Sequence, residues 1–544
     1  MNADIENLIA ILHAGRAIWT ICAGAFLCIL IDSMWPKKMS TVIYAVALAA
    51  LGVALIMVVN QGLSLVPCTR GLDPSDLKDL AMCSIKADAA ICAQCVPLVS
   101  QNLLTVDLMT VAFMGLVILI AMITLLNALG YLKLHQNLTS EFSSLVLFSV
   151  IGMIFLFASD HLVVNFIGLE IMSLAIYVLV GSHKRNIKSN EAALKYFILG
   201  GVASAVMLYG IAFFYGAFGS LRLSEMFEVY TSLKKSGTPG LAYLPKLGLG
   251  LIMAGLLFKL AIVPFHFWAP DIYEGAPAPV TGFMATGVKV AVFGLAIRIF
   301  MSLNALSLEE TFDMAGVQSF LTIAIAATFI VGNLVAIVQE DVKRMLAYSS
   351  ISHAGFLLFG ILAGFKDSAY DVVHADVVFF YLFGYLFMTL GAFAVLSLML
   401  QEKNEATNFG DLRGLGYKHP LLAGVFGLFM LAMMGLPGTA GFAAKYGIVA
   451  LAVQNGHIPM AVLAVTISVI SAFYYLRPIA VMFFKDDAAR SVIKEMPLTL
   501  CITITTCVVA VLYLGFMPDK YLKLSCLATS VFHKSLPPTC LPEF

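Results

Sequence analysis

Residues 104–130 read LTVDLMTVAFMGLVILIAMITLLNALG, and apolar runs of this length recur to the end of the chain. About 20 consecutive apolar residues is the length at which a helix crosses a bilayer. Lipid offers no partner to backbone amides and carbonyls, so only helices or a closed barrel can span it. Barrel strands alternate apolar and polar residues in segments of about 10, whereas these runs are long and continuous. They predict an all-α polytopic membrane protein of about 14 helices, near 5–31, 41–62, 104–130, 142–158, 161–181, 191–216, 246–264, 278–302, 318–338, 345–364, 376–400, 420–453, 459–483 and 496–517. Only 12% of the 544 residues are charged, against roughly 25% in soluble domains. The formal net charge is zero, which leaves no electrostatic footprint for nucleic acid.

Orientation follows from the short loops. One set carries Lys37 and Lys38; Lys184, Arg185 and Lys188; Lys343 and Arg344; Lys403, Arg413 and Lys418; and Lys485, Arg490 and Lys494. The opposite loops, near 159, 302–317, 365–375 and 454–458, carry almost nothing basic beyond Lys366. The positive-inside rule puts the first set in the cytoplasm. An even number of spans then leaves both termini extracytoplasmic. Residues 1–31 open with acids and lack the basic start of a cleavable signal, so they read as the first span.

Cysteines follow the same topology. Cys68, Cys83, Cys92 and Cys95 fall in the loop 63–103, and Cys526 and Cys540 in the tail. Both regions are expected outside, where an oxidising compartment favours disulfides; the pairing is open. CAQC at 92–95 has a second reading as a metal or redox motif, but no nearby histidine completes a zinc set. Cys22, Cys28, Cys501 and Cys507 lie in spans and read as small apolar packing residues.

Charges within the spans carry the functional argument. A charge at the centre of a membrane helix costs roughly 2.5–3.5 kcal/mol on insertion scales, so each needs a reason. Glu170 lies about ten residues from either end of HLVVNFIGLEIMSLAIYVLVG. Lys259 follows a long apolar stretch and precedes Pro264; Lys289 lies mid-span in GFMATGVKVAVFGLAIRIF; Lys445 follows the Pro-Gly break of GLPGTAGFAAKYG. Burial favours a neutral amine and a neighbouring carboxylate favours the ammonium, so a lysine whose carboxylate moves can release and rebind a proton. These four residues read as members of a proton relay, with a structural buried ion pair as the bland alternative. Lys195, a turn into its span, either joins the relay or pairs with Glu191 at i−4. His353 and His266 titrate near neutrality when unperturbed and can bridge lysines, or simply pack. Arg298 is expected to snorkel, and His161 and His183 to be solvated.

Pro264, Pro270, Pro277 and Pro279 forbid an uninterrupted helix through 256–294. Freed backbone groups at that depth are tolerated only against protein or water. Asp271 and Glu274 follow the break near the expected cytoplasmic mouth, to collect protons or to cap the short helical piece. A faint repeat accompanies the breaks: Lys445 lies about 186 positions after Lys259, and His353 about 183 after Glu170. Inverted repeats with broken helices characterise transporters. No nucleotide loop, iron–sulfur spacing, haem motif or nucleophile–base pair is present, so the chain is expected to bind no cofactor or metal and to do no redox chemistry unaided.

The segments FKLAIVPFHFWAPDIYEGAPAPVTGFMATGVKVAVFG, QEDVKRMLAYSSISHAGFLLFG, NEAALKYFILG, GLPGTAGFAAKYGI and AFYYLRPIAVMFF resemble the antiporter-like subunits of respiratory complex I. The likeness covers roughly 104–517. The N-type branch, equivalent to mitochondrial subunit 2, fits best: ALKYF and YYLRPI are present, Lys445 stands where the M-type has glutamate, and the L-type is longer. The resemblance implies two inverted five-helix units, each with a broken helix. It divides the chain into 1–103 (first helices and cysteine-bearing loop), 104–302 and 303–483 (the two halves) and 484–544 (last helix and tail).

By motif the resemblance makes Glu170 and Lys259 the ion pair of the first half-channel, Lys289 the central connector, and His353 a station toward the terminal Lys445. Lys195 matches the lysine of ALKYF, which places it with the relay. It also implies a bacterial inner membrane and NADH, FMN, iron–sulfur clusters and quinone in partner subunits. The implied neighbours are M-type and small K-, J- and A-type membrane subunits and lipid. The loop 63–103 and the tail beyond 517 depart from the family pattern. Rival readings are a subunit of a multi-chain sodium/proton antiporter or membrane-bound hydrogenase, and a membrane scaffold whose charges only stabilise packing.

Overall fold

A computed structural model describes residues 15–34, 40–70, 104–135, 141–225, 243–307, 314–364, 375–401, 404–405, 407–484, 493 and 496–529. The helices are α1 (Arg16–Met34), α2 (Ser40–Arg70), α3 (Leu108–His135), α4 (Glu141–Phe157), α5 (Leu162–Val180), α6 (Ile187–Phe218), α7 (Tyr243–Leu260), α8 (Ala269–Gly275), α9 (Ala278–Phe283), α10 (Lys289–Ser307), α11 (Met314–Ile337), α12 (Val342–Ala363), α13 (Ala375–Leu396), α14 (Leu415–Lys418), α15 (Pro420–Met434), α16 (Ala440–Gln454), α17 (Ile458–Phe484), α18 (Leu498–Phe516) and α19 (Pro518–Thr529). A two-residue hairpin, β1 (Leu400–Gln401) with β2 (Asn404–Glu405), follows α13. Among the described residues eleven helices are long and apolar enough to span a bilayer. The 17-residue α4, the 18-residue α7 and the divided pair α15–α16 complete the fourteen expected spans among the described residues.

Both expected breaks are present, and side chains satisfy the backbone groups they free. Helix α7 stops because Ala261 takes a left-handed conformation (φ 55°) and Pro264 offers no amide. The Phe258 carbonyl accepts from Trp268 Nε1 at 2.9 Å, and the Val263 amide donates to Thr328 Oγ1 at 3.0 Å. The second break runs through Gly435 (φ 101°) and Gly438 (φ 84°), conformations open to glycine and costly to other residues. Thr439 Oγ1 donates to the Leu436 carbonyl at 2.6 Å. Beyond this break α16 returns close to α15. A Cβ at Gly441 would lie 1.8 Å from the Ala432 carbonyl oxygen, so Gly441→Ala forces backbone apart. We expect a loss of about 1–3 kcal/mol, the usual cost of overpacking, measured as a lower Tm of the detergent-solubilised protein.

Between α9 and α10, Met284–Val288 form a π turn. Such turns interrupt the regular spacing of side chains around a helix and recur at functional sites. Every residue from 278 to 300 is buried, which makes α9–α10 the axis around which the other helices pack.

The internal repeat is visible in two matching backbone pairings. The Leu162 amide donates to the Leu221 carbonyl and Leu223 to Asp160, each at 2.9 Å; Val342 donates to Thr407 at 2.8 Å and Phe409 to Glu340 at 3.1 Å. The first pairing joins the α4–α5 junction to the segment after α6. The second joins the α11–α12 junction to the segment after α13. Five spans separate the two junctions (α5, α6, the divided α7–α8, α9–α10 and α11), an odd number, so the halves are inverted in the membrane. Lys259 and Lys445 are nevertheless not equivalent: Lys259 is the penultimate residue before its break, and Lys445 lies six residues into the half-helix after its own. Their even spacing hides an unequal placement.

Helix α19, which the hydropathy reading does not anticipate, packs against α13 through Tyr521 and Phe383. Cys28 and Cys507 are buried free thiols, as their apolar reading requires; Cys22 and Cys501 are half-buried free thiols. Cys83, Cys92, Cys95 and Cys540, with the side chains of Cys68 and Cys526, lie outside the described residues.

Candidate functional site

Four of the expected relay groups lie deep in the bundle. Lys259, Lys289, His353 and Lys445 are 3%, 4%, 2% and 9% exposed, too little for any of them to snorkel to an interface.

Lys259 closes α7, and its ammonium crosses to α5. It donates to Ser173 Oγ at 2.9 Å and to Tyr177 OH at 3.0 Å, and lies over the rings of Tyr177 and Tyr196. Glu170, Ser173 and Tyr177 occupy positions i, i+3 and i+7 of α5 and therefore one face. Glu170 Oε1 is buried with no hydrogen-bond partner. The expected Glu170–Lys259 pair is thus a shared face rather than a direct contact among the described residues: Ser173 and Tyr177 stand where a direct salt bridge was anticipated. Two ordinary helix residues gave no sign of that role in the sequence beyond their spacing from Glu170.

Lys289 follows the π turn and reaches α12 and α13. It donates to the Ser350 carbonyl, to Ser350 Oγ at 2.6 Å and to Tyr385 OH at 3.2 Å, and lies 4.7 Å from the Tyr385 ring centre. Tyr385 OH also donates to Ser350 Oγ, at 3.1 Å. A serine oxygen accepts two hydrogen bonds and donates one, so the Ser350 proton points to its third neighbour, Tyr273 OH, at 3.2 Å. Tyr273 projects from α8, the short piece after the first break.

One turn along α12, the His353 ring lies 5.0 Å from that of Tyr385, centre to centre. His353 Nδ1 is 2.6 Å from Tyr381 OH and Nε2 is 3.1 Å from Tyr475 OH; Tyr475 in turn bonds Ser349. Tyr381 stacks with Phe356, and the Lys445 ammonium lies over the Phe356 ring, 5.2 Å from its centre. Lys445 Nζ donates to the Met434 carbonyl at 2.9 Å, so it satisfies a backbone acceptor freed by the second break. Lys289, His353 and Lys445 are therefore joined along one face of α12 by hydroxyls and aromatic rings.

Lys195 sits elsewhere. It is 42% exposed and pairs with Glu191 at 2.7 Å and Asp271 at 2.8 Å. Asp271 and Glu274 are held by Arg344 at 2.7 and 2.9 Å, and Glu274 also by Lys188 at 2.6 Å. This network fastens α8 to α6 and to the start of α12. Arg344→Gln removes its centre. The expected result is a Tm lower by a few degrees in low salt, with the gap closing near 1 M salt, where the Debye length falls to about 3 Å. His266 lies in the first break, half-buried, and among the described residues no hydrogen bond or ring contact joins it to the four deep groups.

Two edge residues behave differently from their sequence reading. Arg298 does not snorkel: it binds both oxygens of Asp107 at 2.9 Å and the Phe157 carbonyl at 2.5 Å. Asp107, just before α3, supplies a partner remote in sequence. His183 is not simply solvated: its ring stacks on buried Tyr131, with Nε2 3.1 Å from Tyr131 OH. A buried ion pair that the sequence did not suggest, Lys343 with Glu405, lies next to that tyrosine. Among the described residues no cluster of three or more histidines, cysteines or carboxylates is placed to hold a metal.

Residues 159–471 match the family described as NADH:quinone oxidoreductase/Mrp antiporter, TM. The chain is 40% identical over 413 residues to a NADH-quinone oxidoreductase subunit N 1 of Thermodesulfovibrio yellowstonii, covering 76% of this chain and 84% of that one. Among solved structures it is similar to a chain of respiratory complex I from Thermus thermophilus with bound aureothin, at 32% identity and a TM-score of 0.71, covering 93% and 98% of the two chains. It shares its fold alone with a chain of an archaeal membrane-bound sulfane sulfur reductase, at 20% identity and a TM-score of 0.77 over 96% and 97% of the chains. The family match over more than half the chain, and the identity to a subunit N across most of its length, show that this protein belongs to the antiporter-like N-type membrane subunits of NADH:quinone oxidoreductase.

Proposed function

We propose that the chain is the N-type membrane-arm subunit of a bacterial proton-pumping NADH:quinone oxidoreductase, in which it moves protons and carries out no redox step. NADH, FMN, iron–sulfur clusters and quinone belong to its partner subunits. M-type and small K-, J- and A-type subunits are its neighbours in an inner membrane, and both of its termini face away from the cytoplasm.

Glu170 and Lys259 receive the proton in the first half. Movement of the Glu170 carboxylate, driven by quinone reduction elsewhere in the complex, alternately retains the Lys259 proton and releases it inward. Lys289 is the central base, and His353 hands the proton toward Lys445. Ser173 and Tyr177 orient the Lys259 amine; Ser350 and Tyr385 orient that of Lys289. Moving one charge against 100 mV costs about 2.3 kcal/mol, comparable with the gain or loss of one charge-assisted hydrogen bond of about 1.5–3 kcal/mol. Lys195, Asp271 and Glu274 hold the break in place at the cytoplasmic side.

The observation that carries this reading is the buried run Lys289–Ser350–Tyr385–His353, where a buried amine meets the face of α12 that carries a buried imidazole. The antiporter and hydrogenase alternatives are left with a shared fold. The test is pumping by the whole complex in closed vesicles, with Lys259 and Lys289 each replaced. Wild-type numbers of protons moved per NADH oxidised in both variants overturn the assignment.

A further inference from the structure

The turn between α8 and α9 is held by an ion pair that the relay does not use. Pro277 and Pro279 have no amide hydrogens, so Ala278 supplies the one N–H between them. The Pro277 ring carries no polar atom to cap the helix that starts there. The Ala278 amide instead donates to Glu405 Oε1 at 2.8 Å, from the hairpin after α13. Glu405 also binds the Lys343 ammonium, and Lys343 donates to the Ala276 carbonyl at 2.7 Å. Tyr131 OH donates to Glu405 at 2.6 Å. The donor and the acceptor on either side of Pro277 are thus both gripped by one pair, in which Lys343 is fully enclosed and Glu405 nearly so.

What this turn carries gives the pair a consequence. Three residues before it, Tyr273 meets Ser350 Oγ; beyond it, the π turn delivers Lys289 to the same Ser350. Lys343 and Ser350 are themselves seven residues apart on α12, on one face. The same helix therefore grips the turn at one point and receives its two polar side chains at the other. Packing alone does not call for charges here, because a buried ion pair is often no more stabilising than apolar residues of equal volume.

We propose that Lys343 and Glu405 are positioning residues for proton transfer at Lys289: together they set how Tyr273 and Lys289 meet Ser350. This rests on the relay reading of Lys289. Neither residue touches the proton carried by Lys289; they act through the 276–278 turn.

The experiment uses the whole complex in vesicles, with Glu405→Gln, Lys343→Met, their combination, and Lys289→Met alongside. Each single change removes one charge of the buried pair and leaves the other without its counter-charge in that pair, and is expected to lower the amount of assembled complex. The double variant removes both charges, so it is expected to assemble as wild type. It still takes the Lys343 ammonium from the Ala276 carbonyl, leaving it the longer 3.3 Å bond from Thr281 Oγ1, and NADH-driven pumping is expected to fall about tenfold, as misplaced reacting groups do. The pH of half-maximal pumping is expected to move as well, which a merely less stable protein does not show.

A double variant that assembles and pumps as wild type overturns the proposal. So does one that fails to assemble, since the pair is then a folding element, and so does slower pumping with an unmoved pH profile. If Lys289→Met itself pumps normally, the relay reading fails; if it does not while the double variant does, only the positioning role fails.

Discussion

Lys289→Met stops proton pumping and leaves the complex assembled. Methionine keeps the length and apolar volume of the side chain but holds no proton. Ser350 Oγ retains Tyr385 and Tyr273 as partners, so no buried hydroxyl is stranded. Removing a buried amine also removes its desolvation cost, and the Tm should stay level or rise. A proton crossing this point with no base meets roughly the central insertion cost of a charge, about 2.5–3.5 kcal/mol. At 1.36 kcal/mol per factor of ten this is about two orders of magnitude in rate. Acidification of closed vesicles on NADH addition, with Tm by differential scanning fluorimetry, reads both quantities. Lys289→Arg should not restore pumping, because a guanidinium keeps its proton. Pumping at the wild-type rate in Lys289→Met would remove Lys289 from the path.

Lys259→Met should abolish pumping to a similar degree but at a cost in stability. Its ammonium is the donor to both Ser173 and Tyr177, and losing it leaves the Tyr177 oxygen short of a partner, worth about 1–3 kcal/mol when buried. Glu170→Gln, on the same face of α5, should slow pumping with little change in Tm, since Glu170 Oε1 has no hydrogen bond to lose. If Glu170 acts on the Lys259 proton, the two changes act as one unit, and the double variant pumps no worse than Lys259→Met alone. Independent, multiplying losses in the double variant would show that the carboxylate serves another group.

The contrast between these two lysines shows where a linear reading stops. Both stood out at once, because an uncompensated charge in an apolar run is costly wherever it occurs. The prolines around Pro264 and Pro277 announced the first break, and the Pro-Gly step at 437–438 announced the second. Partners were not legible, because each lies on another element: Ser350 is 61 residues from Lys289 and Glu405 is 62 from Lys343. Lys195 shows the opposite case. Its local partner Glu191 was visible at i−4, but Asp271 came to it only when the broken helix folded back. Arg298 was misread as snorkelling for the same reason: depth along a span is a local quantity, and Asp107 is 191 residues away.

Hydrophobic run length, proline placement and the cost of intramembrane charge are properties of short segments, and they suffice for fourteen spans, two breaks and the deep lysines. The inversion of the halves needed the paired junctions at 160–162 and 340–342. The unequal placement of Lys259 and Lys445 needed the helix ends themselves. Which hydroxyl receives which ammonium, the π turn that aims Lys289, and the grip of Lys343 and Glu405 on the turn at Pro277 belong to packing alone. Hydrogen bonds act over about 3 Å, and only the assembled bundle brings such distant residues that close.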